Sequence, residues 1–476
     1  MIGTLAGLCM LVAVGDDPES PAEDPSRPVA TPDAITKDIV PDNQSIDSGA
    51  APSAPSAPVK PEESDPNDQD PYVQTLVPPV TPPPQLLYHL LSLPEYALEL
   101  AFTPLALFVA ASERYALVDR IPDLLQNEDG TIRLTPDLKI SVGQGAGAGA
   151  TLSFRSLTRD EAKLALGALI RVNSDRQFHG RVERRFSALE GREVALAARL
   201  EIDRDREFFG IGNDSTFEDR RTIRDEIIDL NLTIDLRHRG ATRLTGEAMV
   251  GFKQQTLLPG EGPRAPPVGS DDEVAPPDGF DRTVDYGQLG MTWTLSSIDS
   301  TGRPTRGGLA QLRSRISLGL EPNSPSALHN DLRFLHYLRI LPRNRVLAFK
   351  AGATAVVPLR EGDEIAFDDL VSYGGDDVLR GYRQGRFRDE LGWWGAVEYS
   401  FPVYEFGGLG FELAPTFFFD VGRVAGDVED LFDGPIRYAG GAGVRASHDL
   451  FWAFSVSLGF SPDGAQFNLE LGESFF

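Results

Sequence analysis

The chain has 476 residues, 41% hydrophobic and 24% charged, with a formal charge of -26 and one cysteine. Such an acidic chain is a poor match for nucleic acid or an anionic membrane surface, because phosphate binding needs clustered Lys and Arg. The lone Cys9 excludes disulfide scaffolds and multi-cysteine zinc sites. The body of the chain has no uninterrupted run of about 20 apolar residues, which excludes a polytopic helical membrane protein and leaves a large soluble protein or a transmembrane β-barrel.

Residues 1–15 form a short apolar run ending in Ala13-Val14-Gly15, small residues of the kind a signal peptidase reads, followed by Asp16-Asp17. Leu8 before Cys9 does not suit a lipoprotein signal. Residues 16–84 are Pro, Ala, Ser and Asp, and from Asp16 to Thr75 they include about 14 acidic and 3 basic residues. A stretch of this kind cannot bury enough apolar surface to offset its ordering entropy, so it reads as a disordered, acidic, Pro-rich linker. The segment 85–136 begins dense in Leu, Ala, Tyr and Phe, but Glu99 and Pro104 interrupt its apolar core. It predicts short amphipathic helices, serving as a periplasmic plug, a membrane-surface anchor or a cap packed under the following domain.

From residue 137 to 476 the dominant period is two. In Ile228-Asp229-Leu230-Asn231-Leu232-Thr233-Ile234-Asp235-Leu236 every second residue is aliphatic and the others are polar or charged. The same alternation recurs through Val194 to Ile202, Leu312 to Leu320 and Trp452 to Phe460. The runs mostly suffice for a tilted bilayer crossing, and mid-strand charges suit a hydrated lumen. Sixteen such runs are present, starting near residues 138, 147, 161, 177, 192, 221, 241, 284, 308, 328, 345, 391, 411, 437, 451 and 466. They predict an all-β fold, a sixteen-stranded antiparallel transmembrane barrel with both ends periplasmic and the long connections 205–220, 258–283 and 359–390 external. The first hairpin, through Gly143, Gly145, Gly147 and Gly149, is expected to be the weakest pairing.

The connection 359–390 contains Leu379-Arg380-Gly381-Tyr382, an aliphatic-Arg-Gly-aromatic tetrad, and five strands follow it. On the inward register of two of those strands lie Glu398, in Gly395-Ala396-Val397-Glu398-Tyr399, and Asp420, in Phe417-Phe418-Phe419-Asp420-Val421-Gly422. In these features the chain resembles the BamA/TamA-type outer-membrane assembly and translocation barrels, also called the bacterial surface antigen family, as a short member without the periplasmic repeat modules.

The resemblance implies that the tetrad folds back into the lumen and that Arg380 pairs with Asp420, with Glu398 as a second carboxylate partner. Such a cluster either staples the loop or takes part in gating. It further implies a role in outer-membrane protein assembly or translocation, the alternative being a passive pore or scaffold that docks partners through the N-terminal segment. The implied partners are outer-membrane lipid, the barrel assembly machinery during biogenesis and a client or periplasmic protein. The C-terminal alternation with Gly472, Phe475 and Phe476 resembles the targeting signal by which assembly machines recognise such barrels. The segment Phe208-Phe209-Gly210-Ile211-Gly212-Asn213-Asp214-Ser215 also looks family-like, without a role legible from sequence. No catalytic constellation is present and no cofactor is called for. The acid runs Asp271-Asp272-Glu273 and Asp376-Asp377 read as solvated loop charge rather than metal sites.

Overall fold

The computed structural model describes residues 127, 129 and 131–471, apart from short stretches at 142–144, 155–161, 173–174, 187–191, 237–242, 263, 271–273, 301, 323, 342–344, 361, 364, 407–410 and 449–451. The chain divides into two units, Met1–Val77 and Pro78–Phe476, and every described residue belongs to the second. The signal-like run, the acidic linker, the amphipathic segment as far as residue 126, and Gly472, Phe475 and Phe476 lie outside the described residues.

The strands in chain order are β1 (Ile132–Ser141), β2 (Gly145–Phe154), β3 (Lys163–Arg171), β4 (Arg176–Phe186), β5 (Arg192–Phe208), β6 (Arg221–Asp235), β7 (Leu244–Pro259), β8 (Arg282–Ser296), β9 (Gly307–Gly319), β10 (Ala327–Leu341), β11 (Arg345–Pro358), β12 (Val371–Tyr373), β13 (Phe387–Asp389), β14 (Leu391–Ser400), β15 (Tyr404–Phe406), β16 (Phe411–Ala425), β17 (Arg437–His448), β18 (Trp452–Ser461) and β19 (Gly464–Leu471). Sixteen of these build the wall, each antiparallel to its neighbours. β15 is a short continuation that pairs with the start of β16, and β12 and β13 form a separate hairpin.

The wall closes where β1 meets β19, with Leu138, Lys139, Ile140 and Ser141 opposite Leu471, Glu470, Leu469 and Asn468. One end of the barrel, here the loop end, carries the connections 209–220, 260–281 and 359–390, and the other carries the start of β1 and the end of β19.

The period-two pattern determines which way each face turns. Leu196, Leu200, Ile228, Leu230, Leu232, Leu289, Trp293, Phe334, Phe349, Val397 and Phe419 are exposed on the outside, while Asp225, Lys253, Gln255, Gln288, Glu398 and Asp420 are buried inside. An apolar exterior around a polar interior is the inverse of a water-soluble barrel and the pattern of a transmembrane one.

Two expectations shift. β1 begins at Ile132, inside the stretch 85–136 read as helical, and carries Pro136 within it opposite Ala150. The Gly-rich hairpin keeps an unbroken ladder: β1 and β2 run in continuous register from Ile132 opposite Phe154 to Ser141 opposite Gly145. The backbone supplies these ladder bonds, so glycine does not remove them.

Candidate functional site

The connection 359–390, the sixth at the loop end, folds back into the barrel. Its stem is the β12–β13 hairpin, with Val371, Ser372 and Tyr373 opposite Asp389, Arg388 and Phe387. At the tip the Tyr382 N–H donates to the Leu379 carbonyl at 2.9 Å, and Leu379 takes a left-handed backbone with φ 56°. A β-carbon at Gly381 would lie 2.7 Å from the Phe460 carbonyl oxygen and 2.8 Å from the Ala439 side chain, so only glycine lets the tip approach the wall this closely.

Leu379 and Tyr382 are each 1% exposed and join an apolar cluster with Phe387, Trp394, Val424 and Ala439. The Tyr382 ring meets Phe387 edge-on at 5.0 Å, and burial pushes its phenol up to about 12. The cluster bonds the loop to the inner faces of β14, β16 and β17, so the core of this protein is a loop packed on a wall.

Arg380 points from this tip between two strands. Its backbone N–H and Nε donate to Asp420 Oδ2 at 3.0 and 2.9 Å, Nη2 to Oδ1 at 2.7 Å, and Nη1 to Glu398 Oε2 at 2.7 Å. The guanidinium lies 3.8 Å from the ring centroid of Phe418. Burial opposes its charge, but the hydrogen bond to Asp420 and the charges of Glu398 and Asp420 outweigh burial and raise its pKa. Glu398 receives two further cations, with Lys350 Nζ at 3.3 Å and Arg445 Nη1 at 3.4 Å. Neither was singled out in the sequence, although the alternation of β11 and β17 puts both on the inward register.

A second clamp holds the other arm of the loop. Lys253 Nζ donates to Asp368 Oδ2 at 2.7 Å and Arg315 Nη2 to Asp369 Oδ1 at 3.1 Å, while Arg206 pairs with Asp368 and Asp225. Burial works against both loop carboxylates. Lys253 and Arg206 for Asp368, and Lys253, His329 and Arg315 for Asp369, more than offset it and hold both acids well below the usual carboxylate range. Phe367, fully buried, packs edge-on against Phe208 at 5.6 Å and lies 4.2 Å beneath the Arg388 guanidinium.

The segment 208–215 now acquires a role as the seat for the back of the loop. Gly212 N–H donates to the Arg388 carbonyl at 2.7 Å, and Arg386 donates to Ser215 Oγ and O, both at 2.8 Å, while lying 4.9 Å over Phe209. Arg386 Nε also donates to Asp463 Oδ2 at 2.5 Å, and Ser461 Oγ to the Gly381 carbonyl at 2.7 Å. Through these bonds the loop holds the turn of the β18–β19 hairpin, whose second strand forms the closing seam. Between the loop and the wall remains a polar cavity of about 280 Å³, lined by Arg313, Arg315, Asp331, Arg333 and Asp369. This arrangement can obstruct the lumen and couple the loop to the seam; among the described residues no cluster of His, Cys, Asp or Glu could hold a metal ion.

The structure is similar to that of BamA from Haemophilus ducreyi lacking POTRA domains 1–3, with a TM-score of 0.54 at 13% identity over 72% of this chain and 70% of that one. It also matches CdiB from Escherichia coli (TM-score 0.45, 13% identity, 71% and 62% coverage) and CdiB from Acinetobacter baumannii (TM-score 0.43, 12% identity, 71% and 60% coverage). No curated protein sequence matches the chain. The model of the Omp85 superfamily domain matches residues 146–475, most of the barrel including the sixth loop, and the chain therefore belongs to the Omp85 superfamily.

Proposed function

We propose that this barrel acts in outer-membrane protein assembly or translocation, with its N-terminal region in the periplasm and the loop end outside. In this reading the β1–β19 seam opens to admit a substrate segment. The observation that carries it is the kind of closure: the seam joins the first and last strands of the wall, which no turn connects, and the sixth loop holds the turn of the hairpin that supplies the second of them. A pairing that no turn ties together is the place where the wall parts with least rearrangement of the chain, and an opened strand edge is a template for pairing with another chain.

The test is a disulfide across the seam, Ile140→Cys with Leu469→Cys in a Cys9→Ser background, with the protein reconstituted in liposomes. The probe is a urea-denatured eight-stranded outer-membrane barrel, and its folding is followed by heat-modifiable gel mobility. The reduced protein is expected to accelerate folding of the probe and the oxidised protein to lose that acceleration. Equal acceleration in both states removes the seam from the mechanism. No acceleration in either state favours the pore or scaffold reading.

A further inference from the structure

We propose that the seventh connection at the loop end, residues 426–436, is a membrane-anchoring finger that inserts Phe432, flanked by Val428 and Ile436, into the headgroup and upper acyl region of the adjacent lipid leaflet. The finger starts at the rim of the barrel but folds over its outer face. Two side chains of one cross-strand pair, Trp393 on β14 and Arg423 on β16, hold it there. Trp393 Nε1 donates to the Leu431 carbonyl at 3.1 Å, and Arg423 Nη1 donates to the Pro435 carbonyl at 3.0 Å.

Both donors occupy the lipid-facing register. Trp393 alternates with the buried Trp394 and Ala396 and shares its face with Val397, 39% exposed. Arg423 shares its face with Phe419, 53% exposed. Arg423 is nevertheless only 7% exposed, because the finger covers it, and a β-carbon at Gly434 would lie 2.7 Å from its Nη1. An arginine at the upper edge of the lipid-facing band needs such a cover, since a bare cation there pairs poorly with hydrocarbon.

The apolar positions of the finger recur at every fourth residue and are open: Val428 is 48% exposed, Phe432 83% and Ile436 51%. They continue the outer apolar band, with Tyr438, 53% exposed, next in line on β17. Exposed aromatics at this level are the chemistry of an interfacial girdle, amphipathic enough to rest between headgroup and chain. The four carboxylates of the finger, Asp427, Glu429, Asp430 and Asp433, are exposed and disfavour an anionic surface, so insertion here rests on apolar contact. Asn213 Nδ2 also donates to the Pro435 carbonyl at 2.9 Å, which ties the finger to the seat of the sixth loop.

The proposal rests on the chain spanning a bilayer, so the experiment carries its own control. Single cysteines replace Phe432, Val397 and Asp377 in full-length Cys9→Ser protein, each labelled with an environment-sensitive fluorophore and reconstituted in phosphatidylcholine vesicles. Quenching is compared for acyl-brominated phosphatidylcholine and for aqueous iodide. Val397→Cys reports barrel insertion and Asp377→Cys reports water. The expected result is blue-shifted emission at Phe432→Cys, quenched by bromolipid nearly as strongly as at Val397→Cys and shielded from iodide. Emission and iodide quenching like those of Asp377→Cys, with Val397→Cys inserted, overturn the finger alone. Failure at Val397→Cys overturns membrane insertion itself. Blue-shifted emission that appears only at high protein-to-lipid ratio shows a second copy on the patch and overturns lipid as its occupant.

Discussion

Arg380 makes four hydrogen bonds, three to Asp420 and one to Glu398, and that asymmetry determines what its removal does. In Arg380→Ala the side-chain bonds to both acids vanish, but Glu398 keeps Lys350 and Arg445, whereas Asp420 is stripped of its bidentate partner. Stranding one buried charge of a pair costs about 3–5 kcal/mol, enough to loosen the arm of the loop that Arg380 docks. Arg380→Ala is therefore expected to reach the membrane with its sixth loop more open to protease. Arg380→Lys should rescue only in part, since an ammonium cannot fork across both acids. Adding Asp420→Asn to Arg380→Ala removes the stranded charge, so thermal stability should recover while the loop stays open. Unchanged protease sensitivity in Arg380→Ala would show that the loop is not held through this residue.

The sixth loop is held as an element by its two arms and by the last hairpin. On the Asp368 and Asp369 arm the pH dependence follows from the direction of the shifts. Carboxyls depressed in the folded state contribute stability above their ordinary value, and that contribution is lost only as pH falls through the folded value. Both lie well below the usual range, so loop protection measured by hydrogen exchange, corrected for intrinsic rate, should hold from neutrality to about pH 4. Loss of protection above that point would sink this account. On the hairpin side, Asp463→Asn weakens the charged bond to Arg386 while leaving the wall ladders untouched. Oxidative crosslinking of Ile140→Cys to Leu469→Cys should then slow, because a hairpin released from the loop holds the seam less firmly. An unchanged crosslinking rate would mean that loop and seam are independent.

For the whole molecule, the wall and the strut across it are separable. The wall is closed by backbone ladders and an apolar exterior, and the strut is held by ion pairs and a small apolar cluster inside. Breaking either clamp leaves the other, so Arg380→Ala alone and Asp368→Asn with Asp369→Asn alone should each give a modest rise in planar-bilayer conductance. The combination should give a rise larger than their sum, as coupled sites do, while all variants keep heat-modifiable mobility. Strict additivity would show that the clamps act on separate parts of the loop.

Strand number and wall polarity were readable from sequence because each rests on local information, a period of two and side-chain charge, whereas the grouping of Arg380 with Glu398 and Asp420 was an expectation that only the family resemblance of a short tetrad carried. β1 starts at Ile132, ahead of the run read from about residue 138, and holds Pro136, a residue that local pattern does not favour inside a strand. The second clamp was invisible for the opposite reason. Lys253 and Asp368 are 115 positions apart, Arg386 and Ser215 171 apart, and only the closure of the wall and the inward fold of the loop bring them together. Nothing in the local pattern marks Asp368 and Asp369 out from other loop acids, and the 208–215 segment had no legible role, because what each residue does depends on what faces it across the lumen. The finger over Arg423 belongs to the same class: alternation assigns that arginine to lipid, and only the tertiary fold covers it.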